Sequence, residues 1–147
     1  MKPSAFPETS GDAASRGRIL VVEDDPEAAE FFRHVLVTRG RFEVMHTPDP
    51  VTALALASAQ CWDLLLTDLD LPGMTGLELL AALRPMTPRL PGIVVTAHPL
   101  ELSPVVAGPG PGIPGTVKPD AVLAKPVRAE LLLDTVSTLA ARLGRSG

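Results

Sequence analysis

Asp63-Leu64-Leu65-Leu66-Thr67-Asp68-Leu69-Asp70-Leu71-Pro72-Gly73 is the stretch on which the reading of this chain turns. Its continuously apolar run reads as a strand covered on both faces. Asp68 stands at the C-terminal end of that strand, just before a turn, where open α/β sheets place their chemistry. Two other apolar runs end in charge. Ile19-Leu20-Val21-Val22 leads into Glu23-Asp24-Asp25, and Ala121-Val122-Leu123-Ala124 leads into Lys125. Acids at two strand ends and a lysine at a third point to a divalent-metal and phosphoryl site.

Working outward, short apolar runs alternate with helical patterns. Asp25-Pro26 opens a helix with a capping residue and a first-turn proline, and Ala28, Phe31, Phe32, Val35 and Leu36 recur at helical spacing up to a stop at Gly40. A short second run, Phe42 to Met45, precedes a helix opened by Asp49-Pro50, with Leu54 and Leu56 among alanines. A third helix spans Thr75 to Leu83 and ends at Arg84-Pro85. Ile93-Val94-Val95 is the fourth strand. The last helix spans Arg128 to Leu143, with Leu131, Leu132, Val136, Leu139 and Leu143 on one face. The alternation predicts an α/β fold, a doubly wound five-stranded parallel sheet of flavodoxin-like order 2-1-3-4-5.

At 147 residues the chain holds one core, and a net charge of −4 with no basic run argues against a nucleic-acid surface. No apolar stretch is long enough to span a membrane. Residues 1–17 are expected to be a disordered tail without the apolar centre of a signal peptide, which predicts a cytoplasmic protein. Cys61 is the sole cysteine, so no intrachain disulfide can form; beside Trp62 it reads as a packing residue. The folded domain is expected over 18–144, with no output domain after it. Ten of the sixteen prolines lie between Pro85 and Pro126. The stretch from Pro99 to Pro119 therefore reads as an extended loop rather than a full helix.

With strands one, three and four adjacent, about 4.8 Å apart, Glu23, Asp24 and Asp68 converge at one sheet edge. Clustered carboxylates need a shared proton or a cation. A hard ion such as Mg2+ takes oxygen ligands and keeps several waters. Two carboxylates, a backbone carbonyl and waters would complete its shell. Thr96 adds a hydroxyl at the end of strand four, and Lys125 adds a compact cation. A carboxylate nucleophile flanked by a metal, a hydroxyl and an ammonium meets the needs of phosphoryl transfer.

Val21-Val22-Glu23-Asp24-Asp25-Pro26, Leu65-Leu66-Thr67-Asp68-Leu69-Asp70-Leu71-Pro72-Gly73-Met74-Thr75-Gly76, Val94-Val95-Thr96-Ala97 and Ala124-Lys125-Pro126 together resemble the receiver domain of bacterial response regulators, over about residues 18 to 143. The resemblance implies that Asp68 accepts a phosphoryl group from a phosphohistidine on a sensor histidine kinase or phosphotransfer protein. It implies Mg2+ held by Glu23, Asp24, Asp68 and the backbone carbonyl of Asp70. Thr96 would be the switch hydroxyl, Lys125 would contact the phosphoryl oxygen, and Lys125–Pro126 would be cis. A single-domain phosphorelay protein of this kind signals to a downstream protein target and is not an enzyme.

Two positions depart from the pattern. Receivers carry Tyr or Phe three residues before the lysine, where this chain has Val122, and the Pro/Gly-rich stretch replaces or shortens the usual fourth helix. Output is therefore expected to run through the Thr96 loop and the segment after His98. These departures leave open a pseudo-receiver that binds partners without phosphorylation. A third reading takes Asp68-Leu69-Asp70 as the nucleophile motif of a haloacid-dehalogenase-like phosphatase. Asp25 reads as a helix cap rather than a ligand, and Asp70 as contributing its backbone. Gly73 and Gly76 read as turn punctuation, and His34 and His46 as ordinary helix and strand-end residues. His98 is a candidate for the site rim.

Overall fold

The computed structural model describes residues 17–87, 89–97 and 119–146. The expected tail through residue 16, most of the Pro99–Pro119 loop and His98 lie outside these residues. Five parallel strands form one sheet in the order β2-β1-β3-β4-β5. They are β1 (Arg18–Val22), β2 (Glu43–Thr47), β3 (Leu64–Asp68), β4 (Gly92–Thr96) and β5 (Ala121–Ala124). The described helices are α1 (Pro26–His34), α2 (Pro50–Ala59), α3 (Gly76–Leu83) and α4 (Ala129–Ser146). Gly17, read from sequence as the end of the tail, is tied to the sheet: its carbonyl accepts the Glu43 N–H at 2.9 Å.

Continuous apolarity in the strands serves two cores, because successive side chains point to opposite faces. Ile19, Val21, Leu64, Leu66, Ile93 and Val95 face α1 and α4, meeting Phe32, Leu36, Leu132, Val136 and Leu139. Leu20, Val22 and Leu65 face α2 and α3, meeting Ala53, Ala57, Leu79, Leu80 and Leu83. On α2 the fully buried residues include alanines, with Leu54 and Leu56 packed at the edge, so small side chains bring this helix close to the sheet. On α4, Leu131 is 47% exposed and leaves the apolar face expected for it. Cys61 is exposed, so it is not a packing residue; Trp62 packs instead, its indole N–H bonded to Leu56 O at 3.0 Å.

Asp25 and Asp49 cap their helices as expected, and Thr75 adds a cap to the third. Asp25 accepts from Glu27 N and Asp49 from Thr52 N, each with proline following as the first helical residue. Thr75 and Glu78 form a reciprocal capping box. The first helix differs in its ending. It passes at Val35–Arg39 into a π turn, and Gly40 stays right-handed at φ −91° while Arg41 takes the left-handed φ of 63°. Gly40 is needed for space: a Cβ there would lie 2.8 Å from both Leu36 O and a Phe42 ring carbon.

Gly76 is more than turn punctuation. A Cβ on it would stand 2.4 Å from the Asp68 carbonyl oxygen, a distance no real contact adopts. The start of α3 is thus pressed against the backbone of the strand end that carries Asp68. In an exposed helix interior, Gly→Ala would gain up to about 1 kcal/mol from propensity. Here overpacking against backbone reverses the sign. Gly76→Ala should destabilise the fold by about 1–3 kcal/mol in urea unfolding; an unchanged or raised midpoint would show that the contact relaxes freely.

Candidate functional site

The ends of β1, β3, β4 and β5 bring the sequence-derived residues together. Glu23 directly follows β1, Asp68 closes β3, Thr96 closes β4 and Lys125 follows β5. The adjacent register pairs Asp68 with Val95 and Thr96 with Ala124, so the strand ends lie level. Asp68 is 6% exposed, Glu23 1% and Thr96 0%. Lys125 Nζ reaches both acids, at 3.2 Å from Glu23 Oε1 and 3.3 Å from Asp68 Oδ2. Lys125 is itself anchored, its backbone N–H donating to Thr96 O at 2.9 Å, and its peptide bond to Pro126 is cis.

Three consecutive acids point three ways. Glu23 turns into the site, where Oε2 accepts the Asp25 N–H at 3.2 Å. Asp24 stays exposed, and its carboxylate completes a group with Glu23 and Asp68 in which one oxygen from each lies within 4.8 Å of the others. Asp25 caps α1, as expected. Asp70 approaches Asp68 through its backbone: its N–H donates to Asp68 Oδ1 at a long 3.4 Å, and the residue bridges to Thr75. Its side chain is not part of the three-carboxylate group.

Burial is the main force on Glu23. It pushes the carboxyl from 4.5 up to about 7; the Asp25 N–H and Lys125 oppose that rise, and the Asp68 charge adds to it. Burial works against the Lys125 charge, but Glu23 and Asp68 outweigh it and hold its pKa above the usual lysine value. Both shifts are upward, yet they conflict over the charge on Glu23: Lys125 gains from a charged Glu23, and burial disfavours that charge. Asp68 also faces the ammonium, so Lys125 stays protonated at neutral pH.

The donor set suits a hard divalent ion. Glu23 Oε1 is buried and accepts no hydrogen bond, although Lys125 stands 3.2 Å away. It is an oxygen with lone pairs to spare beside two further carboxylates, which is what Mg2+ takes. Sequence reading passed over one contact here. His46, at the end of β2, has Nε2 2.8 Å from the Glu23 carbonyl. Only the pairing of Val21 with His46 across β1 and β2 could have revealed it.

Known proteins resemble this chain in sequence and in fold. The sequence profile of the response regulator receiver domain matches residues 19–137. The chemotaxis protein CheY of Pseudomonas aeruginosa is 28% identical over 128 residues, which are 86% of this chain and 98% of that protein. A CheY-like receiver domain protein from Methanospirillum hungatei superposes with a TM-score of 0.72 at 26% identity, over 88% of this chain and 98% of that one. The chemotaxis response regulator CheY4 of Vibrio cholerae gives 0.68 at 27% identity, over 83% and 97%.

The raised Glu23 pKa has a measurable consequence for stability. Between about 4.5 and 7 the folded state holds a proton that the unfolded state releases. The stabilisation is therefore complete below 4.5 and is lost as pH rises through 7. In metal-free buffer, the unfolding midpoint of the wild type should fall relative to Glu23→Gln across that window. Millimolar Mg2+ should restore it at neutral pH. Parallel pH profiles of the two proteins, or no response to Mg2+, would count against this picture.

Proposed function

The chain belongs to the response regulator receiver domain family, and from that premise we propose that it is a phosphoacceptor in a cytoplasmic phosphorelay, with Asp68 as the acceptor. Receiver domains are generally signalling modules rather than catalysts, and phosphorylation and Mg2+ binding are typical of the family. The observation that carries the reading is the Glu23–Lys125–Asp68 contact, with both acids buried and Thr96 closing the neighbouring strand. In the proposed reaction a carboxylate oxygen of Asp68 attacks the phosphorus of a phosphohistidine on a sensor kinase or phosphotransfer protein. The P–N bond breaks, its electron pair returns to the imidazole, and an acyl phosphate forms on Asp68.

Glu23, Asp24 and Asp68, with the backbone carbonyl of Asp70, would hold Mg2+, which when bound neutralises charge on the phosphoryl oxygens. Lys125 already faces Asp68 Oδ2 and needs only a short shift to pair with a phosphoryl oxygen. Burial of Glu23 and Asp68 strengthens each pairing. The Thr96 hydroxyl lies on the strand next to Asp68 and is the group in this reading that senses the new charge. No helix among the described residues is long and apolar enough to cross a membrane. The protein then acts by contacts with a downstream partner rather than by turnover of a substrate. The family match covers Asp68-Leu69-Asp70, and the dehalogenase-like reading of that motif yields to it.

One feature keeps the pseudo-receiver alternative distinct. Val122, where receivers carry an aromatic ring, lies on the edge strand and is 36% exposed. The two readings separate in one experiment. Acetyl phosphate or phosphoramidate with Mg2+ should add a single phosphoryl group by intact mass, and Asp68→Asn should gain none. No addition to the wild type would favour the phosphorylation-independent module; equal addition to the Asn variant would move the acceptor elsewhere.

A further inference from the structure

The bond from His46 to the Glu23 carbonyl stands where the sheet itself should have supplied one. β1 and β2 pair in register up to Val22 and Thr47, and the ladder continues with Glu23 N–H donating to Thr47 O at 3.1 Å. A parallel ladder would next run from the Asp49 N–H to the Glu23 carbonyl. Asp49 has turned away. Its N–H goes to Thr47 Oγ1 at 3.2 Å, and its side chain caps α2. The Glu23 carbonyl therefore loses its backbone partner. His46 Nε2, at 2.8 Å, takes the vacated place. A carbonyl oxygen can only accept, so the proton resides on Nε2.

We infer that His46 is a positioning residue for the cation site, holding the Glu23–Asp24 peptide so that the two carboxylates converge with Asp68. The inference rests on the metal reading proposed above and adds the residue that orients it. The Glu23 side chain has its own anchors, since Asp25 N–H and Lys125 both reach its oxygens. Asp24 is exposed, so the place of its carboxylate is set chiefly by the backbone that carries it. That backbone is fixed by the peptide plane whose oxygen His46 holds. Groups that orient ligands without touching the metal commonly carry a substantial share of its affinity. His46 itself is exposed, so its substitution leaves both cores untouched.

The test compares His46→Phe, a ring without a donor, with His46→Gln, an amide donor of similar reach. Mg2+ affinity is measured by calorimetry on the full chain, alongside thermal unfolding without metal. His46→Phe should weaken Mg2+ binding by about tenfold, and His46→Gln should bind close to wild type. The Asp24 amide resonance should move in metal-free His46→Phe and stay in His46→Gln. A His46→Phe protein that melts lower yet binds Mg2+ as tightly as wild type would make the residue merely structural and overturn the inference. So would a His46→Gln protein as weak as His46→Phe, because the donor would then not be what matters. A wild type that takes up no Mg2+ would instead overturn the metal reading, and this inference with it.

Discussion

Two carboxylates held against one ammonium, in a place largely closed to water, form the constraint on which the rest of the molecule depends. Glu23 and Asp68 are almost fully buried, and Lys125 lies within 3.3 Å of each. Removing the ammonium would leave two buried acids facing each other, an arrangement costing several kcal/mol unless one takes up a proton. Four strand ends must therefore stay level. The parallel register provides this, and Lys125 N–H bonded to Thr96 O locks the ends of β4 and β5 together. On the other side, α3 closes onto the Asp68 carbonyl where only a glycine fits. The apolar strands supply the rigidity, with both faces of β1 and β3 packed under helices.

The sheet was legible in the sequence because its signals are local. Continuous apolar runs mark strands buried on two faces, and Asp25, Asp49 and Thr75 mark helix starts through their own side chains. The convergence of Glu23, Asp24, Asp68, Thr96 and Lys125 followed from strand order alone. What escaped notice depends on contacts between distant segments. Gly76 looked like a turn residue because nothing in its neighbours shows that a helix will press on Asp68. Gly40 reads as a helix stop, whereas the structure gives the positive φ to Arg41 and uses Gly40 to make room for Phe42. Helical spacing puts Leu131 on the apolar face and the neighbouring Trp62 makes Cys61 read as a packing residue, yet both are exposed.

Acid count is a poor guide to a cation site, and the run Glu23-Asp24-Asp25 shows why. Each carboxylate has a different competitor for its lone pairs. Asp25 spends its oxygen on the Glu27 N–H at the start of α1, which leaves it a cap. Glu23 is drawn inward, where burial raises its pKa and leaves Oε1 without a hydrogen bond. Asp24 is left at the rim, able to meet both Glu23 and Asp68. Asp70 approaches Asp68 through its backbone N–H, and its carboxylate stays outside the three-carboxylate group. What separates the roles is the direction each peptide faces, and for Glu23 and Asp24 that direction is held from β2 by the His46 ring.

The same geometry limits how a change at Asp68 can travel. A charge added there acts first on what it touches, and the described contacts lead to Lys125 and the end of β4. Lys125 is coupled through its own N–H to Thr96, so movement at one strand end is felt at the other. Beyond that pair, β5 offers little to carry a signal. Leu123 is its one fully buried residue, and Val122 sits half-exposed on the sheet edge. A valine has one stiff rotor and no ring that can swing between a buried and an exposed position. A population shift needs an element with two distinct sets of contacts. Val122 supplies no such element on β5, and the bond from the Lys125 N–H to Thr96 O is the described contact that ties the strand end beside Asp68 to its neighbour.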